Sequence, residues 1–336
     1  MAWQGIEGHD AIAGRFAAAE AAGRVAGSYL FVGPPGVGKG TFARGLALAL
    51  VCERPAAGLV ACRGCSSCMQ ALAGTHPDID LVEKPIERAT IPLELLIGSP
   101  DQRLREGLCW RLLLRPAVAR RKVAILLDAD HLSEEAANCL LKTLEEPPPG
   151  AVIMLVGTAL QRQLPTIRSR CQTVRFGLLS AATIEQILRR EQRTGGDEAS
   201  SADLSAAAAA AGGSLQRARL LLSDEVAAFR QRLTGLLERQ PLPGVELSRE
   251  ALAVVEAAGK EAPLRRARLR VILEMALEFY RAGLRQAAAD RDLRLADVEA
   301  CLASTLEALA GIDRNANLGI LIDAWTARLE CSAARR

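Results

Sequence analysis

The pattern of apolar and polar positions changes character near residue 177. Up to that point short, unbroken apolar runs alternate with helix-type stretches. Ser28 to Val32, Val123 to Leu127 and Ala151 to Val156 have little or no polar face, and Thr173 to Phe176 resumes as a strand. A strand can be apolar on both sides only when both sides are covered, so these runs predict a parallel sheet with helices on its two faces. Beyond Leu178 no strand pattern remains. Ser180 to Arg193 reads as a helix, Thr194 to Ser200 as a polar hinge, and Asp203 to Leu222 as a helical pair broken at Gly212-Gly213. The poly-alanine stretch Ala206 to Ala211 favours helix and calls for no other role. From Ser223 to Arg328 the chain is helical, rich in Ala, Leu, Arg and Glu, and interrupted at Pro241-Leu242-Pro243-Gly244 and near Gly311. The expected domains are 1–177, 178–222 and 223–336, with a frayed C-terminus.

The turn after the first apolar run carries candidate chemistry: Gly33-Pro34-Pro35-Gly36-Val37-Gly38-Lys39-Gly40-Thr41, opening a helix from Thr41 to Cys52. Glycines between a strand and a helix let backbone amides curl toward a phosphate, the helix N-terminus favours negative charge, and the lysine reaches the outer phosphates. Gly33, Gly36, Gly38, Lys39, Gly40 and Thr41 are therefore the nucleotide-binding candidates, with ATP or ADP as ligand. One position departs from the pattern: the hydroxyl that should follow the lysine and meet Mg²⁺ is missing at Gly40, and Thr41 comes one place late.

Hydrolysis also needs carboxylates at the end of a second buried strand. Val123 to Leu127 delivers Asp128 and Asp130 to such an end, and Asp128 is the better placed. Its neighbours are Leu127 and Ala129, so no adjacent Asp-Glu pair exists. With two departures in one apparatus, the site reads as inactive in hydrolysis, while nucleotide binding stays open.

Four cysteines follow the loop's helix. Cys62-Arg63-Gly64-Cys65-Ser66-Ser67-Cys68 gives two overlapping two-residue spacings, and Cys52 can close a four-sulfur site. Zinc is the default metal and an iron–sulfur centre its competitor; with no open position, such a site braces the 52–68 insertion and does no chemistry.

Ser133 reads as the N-cap of a helix that Glu134 and Glu135 favour in its first turn and Pro147 to Pro149 end. Ala137, Leu140, Leu141 and Leu144 share one face, as in any helix packed on a sheet. The full phrase is more specific. Leu-Leu-Lys-Thr-Leu-Glu-Glu-Pro-Pro from Leu140 to Pro148, with Ser169-Arg170-Cys171 beyond it, resembles the bacterial clamp-loader branch of the AAA+ ATPases. The cysteine cluster fits the same branch. Asn315-Ala316-Asn317-Leu318, inside an apolar helix pattern, is similar to its non-motor members.

The resemblance implies an α/β P-loop AAA+ domain on a five-stranded parallel sheet with a zinc-binding insertion, a small helical lid and an all-α C-terminal collar. It implies a hetero-oligomeric ring with motor subunits (tau/gamma) and a clamp-opening delta subunit, acting on a sliding clamp and primed DNA at the nucleoid-associated replisome. Arg170 would then act in trans, on ATP held by a neighbour, in a type of contact worth on the order of 10³ to 10⁵ in rate. The lid of this branch carries a nucleotide-sensing arginine after a Gly-Ser turn. Here the turn runs Gly213-Ser214-Leu215-Gln216-Arg217, and Gln216 holds the expected position. Arg217 is one step along a helix, about 100° away. The implied function is a non-motor, stator-type subunit of the DNA polymerase III clamp loader, not an enzyme in isolation. The alternatives are an ATP-hydrolysing tau/gamma-like motor of the same complex and, because Gly-Lys-Gly-Thr also resembles adenylate kinases, a P-loop nucleoside monophosphate kinase.

Composition adds limits. The net charge of +3 over 336 residues is too balanced for strong autonomous nucleic-acid binding. Arg120-Arg121-Lys122 and Arg265 to Arg270 read as solvated faces before they read as phosphate contacts. No apolar run of about 18 residues and no basic-then-apolar leader stand out, so a cytoplasmic protein is expected, with Cys109, Cys139, Cys171, Cys301 and Cys331 as reduced thiols.

Overall fold

The computed structural model describes residues 3–85, 88, 90–103, 105–195, 200–290, 295–314 and 316–333. Asn315, residues 196–199 of the expected polar hinge and the last three residues lie outside these. The chain divides into two compact units, Met1–Glu198 with Ala208–Gln216, and Ala199–Ala207 with Arg217–Arg336.

The first unit runs α1 (Asp10–Ala21), β1 (Ser28–Val32), α2 (Lys39–Val51), α3 (Ser66–Leu72), β2 (Ile79–Val82), α4 (Glu94–Ile97), α5 (Gly107–Leu113), β3 (Lys122–Leu126), α6 (Glu134–Glu145), β4 (Ala151–Val156), α7 (Pro165–Arg168), β5 (Gln172–Arg175) and α8 (Ala181–Gly195). The five strands form one sheet in the order β2-β3-β4-β1-β5, with every neighbouring pair parallel. Alternation along the central strands sorts their side chains into two cores. Tyr29, Phe31, Val123, Ile125, Val152, Met154 and Val156 face one, with Phe16 of α1 and Phe42 and Leu46 of α2. Leu30, Val32, Ala124, Leu126, Ile153 and Leu155 face the other, with Leu96, Leu108, Leu112, Ala137, Leu140 and Leu144 of α4, α5 and α6. The expected apolar runs are thus strands between two layers of helix, each within one residue of its predicted bounds. β2 had no such signal: it is an edge strand, buried only at Val82, and Asp80 interrupts it.

The first core is also where the chain's scarce aromatic residues gather. Trp3, His9, Phe16, Phe31 and Phe176 surround the fully buried Phe42, with ring centroids 5.0 to 6.4 Å away. Phe42 sits one turn into α2, so this cluster fixes the start of the helix that follows the glycine loop.

After α8 come α9 (Ser201–Ala210), α10 (Leu215–Leu222), α11 (Asp224–Glu238), α12 (Gly244–Glu256), α13 (Ala262–Asp290), α14 (Leu295–Asp313) and α15 (Leu318–Ala333). The second unit, to which α11 to α15 belong, has helices and no strand among its described residues. The expected interruption near Gly311 falls elsewhere. Gly311 lies inside α14, where an added Cβ would come within 2.7 Å of Leu321 Cδ1, so the glycine serves close helix packing. α14 ends at Asp313, and Asn317 opens α15, its Oδ1 accepting from Ile320 N at 3.3 Å. Asn317 is therefore a helix-start residue and not part of a continuous apolar helix. Buried Trp325 donates Nε1 to Thr305 Oγ1 at 3.1 Å, tying α15 to α14.

Phe42→Ala would empty the centre of the aromatic cluster. It is expected to destabilise the chain by about 3–5 kcal/mol, and Phe42→Leu by distinctly less, in urea unfolding. Equal midpoints for Phe42→Ala and the parent chain would show that the cluster does not hold α2.

Candidate functional site

The glycine loop leaves β1 at Val32 and enters α2 at Lys39, at the carboxyl ends of the strands, where open parallel sheets place their ligands. Two glycines are required by close approach. A Cβ at Gly33 would sit 2.4 Å from Phe176 O, and one at Gly36, whose φ is +77°, would sit 2.1 Å from Ser214 Oγ. Gly38 is the N-cap of α2 in the left-handed conformation. Behind the loop, His9 Nε2 lies 2.7 Å from Val37 O and its ring meets Phe176 edge-on at 4.9 Å.

Lys39 is 7% exposed, and its ammonium donates to Gly33 O at 2.6 Å and Pro34 O at 2.7 Å. Burial pulls it down to about 8, against the opposing influence of Asp130 and then Asp128. Lys39, Asp128 and Asp130 therefore share one electrostatic site. Asp128 is exposed, with a left-handed backbone (φ +55°), and caps a single 3-10 turn, Ala129–His131. Asp130 is the more firmly held carboxylate: Thr158 N donates to its Oδ2 at 2.8 Å, and Gln163 Nε2 donates to its Oδ1. Thr158 Oγ1 is buried and has no hydrogen-bond partner among the described residues. Asp130, Thr158 and Gln163 complete a group of which only Asp128 stands out by its sequence position. The one signal for Thr158 is a hydroxyl immediately beyond the buried β4.

The positions that depart from a hydrolytic pattern lie around the same loop. A Cβ at Gly40 would meet nothing closer than Leu127 Cδ2 at 3.5 Å, so packing does not forbid a hydroxyl residue there; the chain lacks one. Thr41 is exposed. Ala129, following Asp128, is buried and offers no carboxylate. The turn before α10 rests on the loop: Leu215 N donates to Gly36 O at 2.9 Å, and Gln216 Cβ would be 2.9 Å from a Cβ at Gly36. A neutral side chain thus stands where a sensing arginine was looked for. Arg217 pairs with Glu274 and Glu278 of α13, each at 3.1 Å.

Arg170 is not part of this group. It lies between α7 and β5, an edge strand, with Ile167 and Cys171 buried on either side of it in the chain. Burial pushes the Cys171 thiol up to about 12, so this cysteine packs as a neutral side chain. The Arg170 guanidinium donates from Nε to Glu145 Oε2 at 2.9 Å and from Nη1 to Thr166 O at 3.2 Å and Ser169 Oγ at 3.3 Å.

The four sulfurs of Cys52, Cys62, Cys65 and Cys68 lie within 4.8 Å of one another. Cys52 ends α2, and Cys65 is the N-cap of α3, its sulfur accepting from Cys68 N at 3.4 Å. Cys62 N donates to Cys52 Sγ at 3.3 Å. Sulfurs around a tetrahedral zinc stand roughly 3.8 Å apart, given zinc–sulfur distances of ~2.3 Å. The donor set and its spacing therefore fit a metal ion. Burial pushes the Cys68 thiol up to about 12 and raises Cys52, whereas the amide of Gly64 draws Cys62 down to about 6.

The two basic runs are tied into the fold. Arg121 pairs with Glu20 at 2.9 Å and Lys122 with Asp78 at 3.8 Å; Arg265 donates to Gly259 O at 2.6 Å and Arg268 pairs with Glu225 at 3.8 Å. Burial would raise the Asp78 carboxyl, but the amides of Ala119, Ala117 and Val118, with Lys122, hold it below its ordinary value. No described helix is long and apolar enough to cross a membrane.

A family model described as DNA polymerase III, delta subunit, matches residues 8–180. The DNA polymerase III subunit delta′ of Pseudomonas aeruginosa is 38% identical over 168 residues, which are 48% of this chain and 47% of that protein. The gamma/tau subunit of Mycobacterium tuberculosis is 34% identical over 187 residues, 55% of this chain and 30% of that one. The chain thus matches about half the length of its delta′ relative. Among solved structures, a DNA polymerase III gamma subunit-related protein of Thermotoga maritima aligns with a TM-score of 0.42 at 16% identity, covering 97% of this chain and 100% of that one.

The buried Lys39 makes a pH prediction. Its folded value is about 8, and the unfolded chain returns it to about 10.4. Between the two the unfolded chain keeps a proton that the folded chain has lost, so stability gains as pH rises through this window. The stability of the parent chain relative to Lys39→Met is expected to grow from pH 8 toward pH 10 in urea midpoints; a constant difference would mean that the ammonium is as well solvated folded as unfolded.

Proposed function

The chain belongs to the family described as DNA polymerase III, delta subunit, and on that premise we propose that it is the non-motor, stator-type subunit of a bacterial clamp loader. The observation that supports this best is the contrast between its two phosphate-directed features. The phosphate loop has lost its metal-side hydroxyl at Gly40 and the carboxylate after Asp128, while Ser169-Arg170-Cys171 is complete beside an edge strand. In-line attack on a γ-phosphate needs a positioned metal ion and an oriented water. Lys39 and Asp128 alone supply neither, so the chain's own site at Gly33, Gly36, Gly38, Lys39, Gly40 and Thr41 is at most a nucleotide-binding site.

Arg170 supplies what a neighbour lacks. A guanidinium stays charged at every working pH and offers several donors in a fixed plane. Placed against ATP bound to an adjoining motor subunit, it would neutralise charge developing on the transferred phosphoryl group. The AAA+ unit would bring Arg170 to that interface, the 178–222 segment would act as lid, and 223–336 as the collar that holds the ring. The partners in this reading are tau/gamma motor subunits, a delta subunit, the sliding clamp and primed DNA, in the cytoplasm at the replisome. A tau/gamma-like motor role is the second reading, favoured by the 34% identity to a gamma/tau subunit and by the proximity of Asp128 and Asp130 to Lys39.

Cys52, Cys62, Cys65 and Cys68 would hold a structural zinc ion, which would tie the end of α2 to the start of α3. Trp3 Nε1, donating to Leu59 O at 3.2 Å, already anchors the same segment to the N-terminal residues.

Two outcomes are expected. The chain alone releases no phosphate from ATP, and Arg170→Ala leaves assembly with the motor and delta subunits intact while turnover at the adjoining site falls by on the order of 10³. Turnover by the isolated chain would favour the motor reading, and an unaffected complex would remove Arg170 from catalysis. The purified chain is also expected to carry about one zinc ion by elemental mass spectrometry. Cys68→Ser should lower both the metal content and the melting temperature; a metal-free chain that melts like the native one would end the bracing role.

A further inference from the structure

Glu145 is the last residue of α6, in the Leu-Glu-Glu-Pro-Pro phrase, and it is separated from Arg170 by a whole strand and loop. The fold nevertheless brings the two together at 2.9 Å, between Arg170 Nε and Glu145 Oε2. Both partners stand on rigid ground. The last turn of α6 is fixed to the sheet because Ser28 Oγ donates to Leu144 O at 2.9 Å. The proline stop that follows is seated on Gly27, where a Cβ would fall 2.5 Å from Pro147 Cγ. On the other side, Arg170 N donates to Ile167 O at 3.1 Å, and buried Ile167 and Cys171 hold the backbone.

The guanidinium is therefore gripped at Nε by a carboxylate and at Nη1 by Thr166 O and Ser169 Oγ, while Nη2 has no hydrogen-bond partner among the described residues. A free arginine side chain carries rotamer entropy that a trans-acting contact must remove each time it forms. Fixing the guanidinium plane beforehand removes much of that loss and directs the open nitrogen.

We propose that Glu145 is the positioning residue for Arg170: it holds the guanidinium by Nε and leaves Nη2 as the donor to a phosphate oxygen of ATP on the neighbouring subunit. This rests on the reading of Arg170 as a trans-acting group. The carboxylate is well exposed, so water screens its charge, and its role is orientation; for the same reason the pair contributes little to folding. Thus Glu145 can be changed without unfolding the chain, and its effect on rate can be measured separately from stability.

The test is ATP turnover by the reconstituted clamp loader, with this chain as parent, Arg170→Ala, Glu145→Ala, Glu145→Gln or the double variant Glu145→Ala/Arg170→Ala. Glu145→Ala is expected to lower kcat roughly tenfold or more with KM for ATP little changed and the melting temperature of the chain unaltered. Glu145→Gln keeps an acceptor oxygen for Nε and is expected to retain most of the rate. The double variant should be no slower than Arg170→Ala alone, since Glu145 acts only through that arginine. If Arg170→Ala slows turnover and Glu145→Ala does not, the positioning role fails while the trans-arginine reading stands. If Arg170→Ala has no effect, that reading fails and takes the positioning role with it. An equal loss from Glu145→Ala with and without the Arg170 side chain also overturns the proposal. Should Glu145→Ala not assemble, Glu145→Asp, which keeps the charge but shortens its reach by one methylene, is expected to show the same fall in kcat; an unaltered rate there overturns it.

Discussion

Everything that carries chemistry in the first unit depends on three strands buried on both faces. β1, β3 and β4 have apolar side chains on alternate sides, and each side is covered by its own layer of helices. A sheet covered in this way leaves functional groups one free place, the ends of its strands. The glycine loop follows β1, Asp128 and Asp130 follow β3, and Thr158 follows β4. Arg170 instead precedes β5, and because β5 runs parallel to β1 it stands at the amino ends of the strands, away from the glycine loop. The separation of the glycine loop from the arginine is a consequence of strand direction in a parallel sheet.

Within that frame, the phosphate loop is satisfied by the protein's own groups. Lys39 rests on two loop carbonyls, Gly36 O accepts from Leu215 N, and Ser214 occupies the space beside Gly36. Burying an ammonium is costly unless its donors find acceptors, and here two carbonyls and the nearby Asp130 and Asp128 offset only part of that cost, so burial still pulls Lys39 down to about 8. The aromatic cluster around Phe42 braces the same loop from below through His9 and Phe176. A loop held on both sides in this way has a structural use whether or not it turns over a nucleotide.

The sequence was most legible where one physical cause dominated. Doubly buried strands announce themselves as apolar runs, and the Ser133 cap and the prolines after Glu146 bounded α6, with Ser133 Oγ accepting from Ala136 N as the cap requires. Legibility failed where a residue had two uses. Gly311 looked like a break but allows Leu321 to approach α14, whereas the actual break is marked by Asn317, a helix N-cap. β2 is half exposed and carries Asp80, so its pattern was too weak to show. The ion pairs that absorb Arg121, Lys122 and Arg268 join distant segments and could not be read from charge runs. The same holds for the partners of Asp130, which come from the loop beyond β4.

On the proposed function, what the chain must supply is a fixed position more than a reaction. An arginine that serves another subunit's ATP gains nothing from chemistry at Lys39, but it loses rate if its own backbone moves by even about 1 Å. The fold concentrates its constraints accordingly. Ile167 and Cys171 are buried on either side of Arg170, Ser28 ties the end of α6 to β1, and Pro147 is seated against Gly27. The contacts of Ser28 and Gly27 lead directly to β1, so the end of α6 that carries Glu145 is referenced to a strand buried along its whole length. On that proposal a loop without its metal-side groups and a well-anchored arginine are two sides of one design: the loop would be needed only for its packing, and the arginine would keep every support because its orientation would be the contribution.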